Sequence, residues 1–200
     1  FPYTTLFRSF PFADKPGWNL TTAMADEAIG YLRQIDAVAL GQPFFIHYAP
    51  GGTHSPHQPT QEWIDKIHAL HLFDSGWNAL RETIFANQKR LGVIPQNAVL
   101  TSWPDSLPKW ESLTAEQQKL YVRQAEVFAA YAAYTDHEIG RVIQHFQDLG
   151  KLDNTLIIYI NGDNGTSAEG GPNGTPNEVA FFNGVNQLPA EVQMKWYDVW

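Results

Sequence analysis

Two short stretches of this chain carry side chains that could do chemistry. In G-D-N-G, residues 162–165, the carboxylate of Asp163 and the amide oxygen of Asn164 stand side by side between glycines that permit tight turns. Oxygen donors alone are what a hard cation takes, and the same pair also suits an Asx-type turn. In P-G-G-T-H-S-P-H-Q-P, residues 50–59, His54 and His57 share a loop punctuated by proline and glycine. Imidazole is the side chain that exchanges protons near neutral pH, and a loop so constrained is more than a connector.

Both stretches follow apolar runs that must position them. Leu156 to Ile160 is almost unbroken in branched and aromatic residues, and P-F-F-I-H-Y-A at 43–49 has the same character. Such runs read as strands buried on both faces of a parallel sheet. Ligands bind beyond the carboxyl ends of parallel strands, so the two loops are expected to open at one sheet edge. A third, weaker edge strand is expected at 179–182.

The remaining chain reads as helices. Residues 20–36 carry Ala25, Ala28, Ile29, Leu32 and Ile35 at helical spacing, with Thr21 or Thr22 as cap. Residues 60–70 form a short helix bearing Trp63, Ile64 and Ile67. Residues 74–91 form a firmer one, with Asp74 as N-cap, a stripe of Trp77, Leu80, Ile84 and Leu91, and Gly92 as stop. Residues 93–112 read as a loop in which Trp103 and Trp110 pack. Thr114 and Gln117 fit a capping box opening a long helix. Its expected stripe is Tyr121, Ala125, Phe128, Ala132, Ile139, Val142, Phe146 and Leu149; Gly150 ends it, and Gly140 is a candidate break. His47 is expected in the core, and His68, His71, His137 and His145 on helix faces. Glu169 is assigned no chemistry. Two good strands against about four helices is too few, since sheets average about 5–6 strands. The strands need neighbours from elsewhere, and the chain is expected to be an internal piece of a larger α/β domain.

Composition narrows the function classes. The chain has 200 residues, with 13 Lys and Arg against 21 Asp and Glu, a net charge of −8. That argues against a nucleic-acid partner, and an anionic substrate would need a local positive group. With no cysteine, disulfides and thiolate metal sites are excluded. No run is long and apolar enough for a transmembrane helix, and no signal-peptide pattern is present. Phe1 to Ser9, F-P-Y-T-T-L-F-R-S, matches the in-frame translation of a common sequencing-adaptor oligonucleotide; residues 1–9 are set aside as a scar, with the natural protein expected to extend upstream. Periplasmic or secreted placement is compatible with the chain; location and oligomeric state are not legible.

The run G-R-V-I-Q-H-F-Q-D-L-G-K-L-D-N-T-L-I-I-Y-I before G-D-N-G resembles the central segment of the type I sulfatases. Asp136 matches an aspartate common in that helix. P-F-F-I-H-Y-A-P with T-H-S-P-H, L-R-E-T-I-F-A-N-Q-K-R-L-G-V-I-P and S-A-E-G-G-P-N-G-T are similar to bacterial arylsulfatases. The resemblance implies an α/β, alkaline-phosphatase-like fold, with residues 10–200 a partial sulfatase catalytic domain. It implies hydrolysis of a small-molecule sulfate monoester by a formylglycine made from the Cys or Ser of a C/S-x-P-x-R motif. It also implies one calcium ion, with Asp163 and Asn164 among its ligands. His54, with Pro56, matches the H-x-P histidine at the sulfate or leaving oxygen and is the expected catalytic residue. His57, with Pro59, also fits H-x-P, but the spacing to Glu62 and Trp63 favours His54; His57 is the expected substrate-binding residue, with a supporting or structural place as the alternative. This chain lacks the C/S-x-P-x-R motif, the two upstream calcium-binding aspartates and the Lys-x-His pair, and Lys195 does not match the downstream lysine. The chain alone is therefore expected to be inactive, with the formylglycine and the rest of the calcium shell supplied from outside it. The rivals are a phosphoesterase or phosphonate monoester hydrolase of the same superfamily, which tends to carry Asp-His after the strand, and a non-catalytic anion- or glycan-binding relative.

Overall fold

The computed structural model describes residues 16–39, 41–162, 171–175, 177, 179–185 and 187–199. Six α-helices occur among them: α1 (Leu20–Val38), α2 (Gln61–His68), α3 (Gly76–Arg90), α4 (Ala115–Asp148), α5 (Val179–Phe182) and α6 (Ala190–Gln193). The chain divides into two compact units, one of residues 1–60 and 131–161, the other of residues 61–130 and 162–200.

Helix ends follow local signals. Asn19, not Thr21 or Thr22, caps α1, its side chain accepting from the Thr21 N–H at 2.9 Å. Thr114 and Gln117 form the reciprocal capping box, at 3.2 and 2.9 Å. Gly92 (φ 73°) and Gly150 (φ 66°) end α3 and α4 in the left-handed conformation. Asp74 does not cap α3, because its carboxylate is bound to His71. Helix α4 runs through Gly140 without a break.

In the first unit, Ala25, Ala28 and Leu32 of α1 pack against Val142 and Phe146 of α4, flanked by Phe44, Ile46 and Tyr48. The Phe44 and Phe146 rings stack at 5.7 Å. Above this core lies a polar strip. The Thr22 hydroxyl bonds Tyr134 and donates to Glu138 at 3.0 Å, while Arg141 bridges Glu138 and Asp26.

The second unit has two cores. Ile64 of α2 meets Val127 and Ala130 of α4. Leu120, Tyr121 and Ala190 gather Trp77, Trp110, Leu113 and Met194. Trp77 stacks on Tyr121 at 5.5 Å and on Trp103 at 6.4 Å, and meets Trp110 edge-on at 5.2 Å. Both Trp103 and Trp110 are packing residues, as expected. Gln193, fully buried, donates towards the carbonyls of Asn173, Gly174 and Leu188 at 3.0–3.1 Å, and Asn173 accepts from the Tyr121 hydroxyl at 2.6 Å.

Several expectations are corrected. No strand ladder forms among the described residues, so the parallel sheet is not seen. Strand backbone donors and acceptors need a neighbouring strand, and none lies within reach there. Residues 43–49 nevertheless keep a two-residue alternation: Phe44, Ile46 and Tyr48 face the core, while Phe45, His47 and Ala49 are exposed. His47 is thus not a core histidine. Residues 156–160 form neither helix nor strand and are exposed along their whole length, Leu156 by 85% and Ile160 by 86%. The edge strand expected at 179–182 is helical, opened by the Asn177 side chain accepting from the Val179 N–H at 3.0 Å and followed by Gly184 at φ 79°. In α4 the buried stripe includes Val127, Ala130, Tyr131 and Tyr134 in place of Ala125, Phe128 and Ala132. It also takes in Glu126, Thr135, Glu138 and His145, polar residues that periodicity assigns to the solvent face.

Candidate functional site

The histidine loop, residues 50–59, leaves the core-facing segment 43–49 and leads into α2. Three contacts seat it. The Asn19 side-chain amide donates to the Gln58 carbonyl at 2.9 Å, so the residue that caps α1 also holds the loop's far end. Gly52 lies directly on α4: a Cβ built there would stand 2.1 Å from Thr135 Oγ1. Only glycine allows that approach. His57 is half-buried, with its ring 6.2 Å from that of Tyr131. The Gly52–Thr53 and Ser55–Pro56 peptide bonds are cis.

His54 is exposed, and its backbone N–H closes a turn onto the Gly51 carbonyl at 2.8 Å. Its Nδ1 lies 2.8 Å from the Ser55 carbonyl. A carbonyl only accepts, so Nδ1 carries the proton. In the neutral ring the lone pair is then on Nε2, and only the imidazolium can donate from that nitrogen.

The first unit also carries polar groups with shifted protonation. Tyr48 and Tyr134 have their phenol pKa values raised, chiefly by burial, with the Glu138 carboxylate adding to the effect. Arg141 is held more firmly protonated, first by its hydrogen bond to Asp26. Sequence reading missed Asn19, Tyr131 and Thr135 as supports of the loop. The one local signal was Gly52 two residues before His54; the rest are contacts distant in sequence.

Asp163, Asn164 and Glu169 lie outside the described residues. Among the described residues no three His, Asp or Glu side chains converge to hold a metal ion, and no helix is long and apolar enough to cross a membrane.

The family model described as Sulfatase matches residues 3–194. The chain belongs to the sulfatase family. An uncharacterised sulfatase of Schizosaccharomyces pombe is 33% identical over 162 residues, covering 78% of this chain and 29% of that protein. An arylsulfatase of Klebsiella aerogenes is 30% identical over 144 residues, covering 70% of this chain and 30% of that protein. An arylsulfatase of Volvox carteri is 29% identical over 162 residues, covering 75% of this chain and 23% of that protein. This sulfatase chain thus spans less than a third of the length of the curated relatives it matches. Membership implies an alkaline-phosphatase-like fold, as the motifs of residues 43–59 and 140–165 lead one to expect.

Proposed function

We propose that this chain is part of a sulfuric ester hydrolase that cleaves a small-molecule sulfate monoester, with His54 at the leaving oxygen. The observation that carries this reading is the sulfatase match across a loop whose H-x-P histidine has its ring tautomer fixed by the Ser55 carbonyl.

As the ester bond breaks, negative charge develops on the leaving oxygen. With Nδ1–H engaged by Ser55, the proton on Nε2 of the imidazolium is the one delivered to that oxygen. His57 supplies a second donor to the anionic substrate, its ring set beside Tyr131. Gly52 on Thr135, and Asn19 on Gln58, hold the loop that carries both histidines. Asp163 and Asn164 offer oxygen donors only, the donor set of calcium, so the residue types fit the ion expected there. That ion, when bound, neutralises charge on the transferred group. An Asn at position 164, where phosphoesterases tend to carry His, favours calcium and sulfate over a transition metal and phosphate. The alternating inward residues Phe44, Ile46 and Tyr48 and the exposed run 156–160 support reading both segments as strands of a sheet completed by residues outside this chain.

The direct test is to read the coding sequence upstream of Phe10 for C/S-x-P-x-R. Its presence, with calcium-dependent aryl sulfate hydrolysis that Asp163→Ala abolishes and Asn164→Ala weakens, is the expected result. An uninterrupted upstream frame without the motif, or full activity in Asp163→Ala, would overturn the proposal.

A further inference from the structure

The end of α2 and the turn after it carry a second pair of histidines, in H-A-L-H, residues 68–71. They read as helix-face residues in the sequence, but the structure brings them together. Their ring centroids are 5.8 Å apart. His71 adopts φ 52°, in the left-handed region, the one non-glycine residue among those described to do so. That conformation turns the chain back at the end of α2 and sets the His71 ring beside His68.

Each ring is held at the same nitrogen by a carboxylate. His68 Nδ1 lies 2.8 Å from Glu126 Oε1 on α4, and His71 Nδ1 lies 2.8 Å from Asp74 Oδ2. A carboxylate accepts, so both Nδ1 atoms carry protons and both neutral rings have their lone pair on Nε2. Glu126 is itself buried, its side chain 4% exposed, and His68 holds it in place. The two imidazoles are open to solvent, with 62% and 66% of their side chains exposed.

This is the arrangement by which carboxylates orient metal-bound histidines: Nδ1–H to the acid, Nε2 to the metal. With a metal–nitrogen bond of about 2.0–2.1 Å, two imidazoles at a tetrahedral angle place their centroids about 5.2 Å apart. The observed centroid separation of 5.8 Å exceeds that by roughly 0.6 Å, and the rings must turn to aim both Nε2 atoms at one ion. The chain's charge of −8 and the two carboxylates favour a cation.

We propose that His68 and His71 form a binding site for a divalent transition metal ion such as Zn2+, through their Nε2 atoms. Glu126 and Asp74 orient the rings, and water completes the coordination. Nitrogen donors separate it from the oxygen-donor pair Asp163–Asn164. The site does not depend on the sulfatase reading.

The test is a Zn2+ titration of the full chain by calorimetry, with long-range 1H–15N spectra of the imidazoles. One Zn2+ should bind saturably at micromolar concentration. The Nε2 resonances of His68 and His71 should move while their Nδ1 atoms stay protonated, and excess Ca2+ should not compete. The His68→Gln/His71→Gln double variant, checked for retained helicity by circular dichroism, should lose this site. Asp74→Ala, which removes an exposed orienting group, should weaken binding about 10–100-fold. No saturable binding up to millimolar metal, or unchanged Zn2+ affinity in the folded double variant, would overturn the site. Unchanged affinity in Asp74→Ala would overturn the role given to the carboxylate.

Discussion

With Nδ1 of His54 bound to the Ser55 carbonyl, loss of the ring should cost most where the leaving oxygen most needs a proton. In the complete enzyme, His54→Ala should lower the rate by about 10²–10⁴ for sulfates of poor leaving alcohols, and by less for activated aryl sulfates. A plot of the loss against leaving-group pKa checks this; a flat plot would leave His54 a binding or loop-holding residue. Tyr48 makes a different prediction. Its hydroxyl is buried with no hydrogen-bond partner among the described residues. Tyr48→Phe should therefore leave stability unchanged or raise it by about 1 kcal/mol, read by chemical denaturation. The sign of its pH dependence follows from its raised pKa, due first to burial and then to Glu138. Tyr48 should hold its proton in the folded state after the unfolded chain has lost it. Its contribution is complete below the unfolded value near 10 and is lost as pH rises through the folded value. Tyr48→Phe should flatten that alkaline loss. The histidine loop was legible because its residue types are rare together. Buried Glu138 and Glu126 were not: a glutamate on a helix reads as solvated, and their partners Thr22 and His68 lie 116 and 58 residues away.

Two glycines at helix positions should respond to alanine with opposite signs. Gly76 opens α3 at φ 77°, and a Cβ there would stand 2.1 Å from the Trp110 ring. Gly76→Ala should destabilise by at least about 2 kcal/mol, from backbone strain and overpacking together. Gly140 lies within α4 with open space where its Cβ would be. Gly140→Ala should stabilise by about 0.5–1 kcal/mol. Urea midpoints of the two variants check both, and equal shifts would contradict the packing described. Helices were legible because their start and stop signals are local: Thr114 with Gln117, then Gly92 and Gly150. Strands were not, because an apolar run becomes a strand only when another supplies its hydrogen bonds. Val179 to Phe182 shows the converse, since Asn177 and Gly184 outweigh the strand propensity of V-A-F-F.

The chain as a whole carries the histidine loop and the Asp163–Asn164 pair but no C/S-x-P-x-R motif. Alone, with added calcium, it should show no multiple turnover on an aryl sulfate; metal-dependent turnover would contradict that. Exposure of Leu156, Ile158 and Ile160 also predicts self-association on gel filtration, since an uncovered apolar run with unpaired backbone groups is a template for pairing. The two units can be followed separately, because the aromatic nest gives one of them its own optical signature. Trp63, Trp77, Trp103, Trp110 and Trp196 fall in the unit of residues 61–130 and 162–200, and Trp18 in the other. Indole emission therefore watches that unit almost alone. The Trp77 ring lies 6.4 Å from that of Trp103 and 5.2 Å from that of Trp110, close enough for their transition dipoles to couple. The resulting circular-dichroism couplet should vanish when the nest opens, whatever remains folded elsewhere.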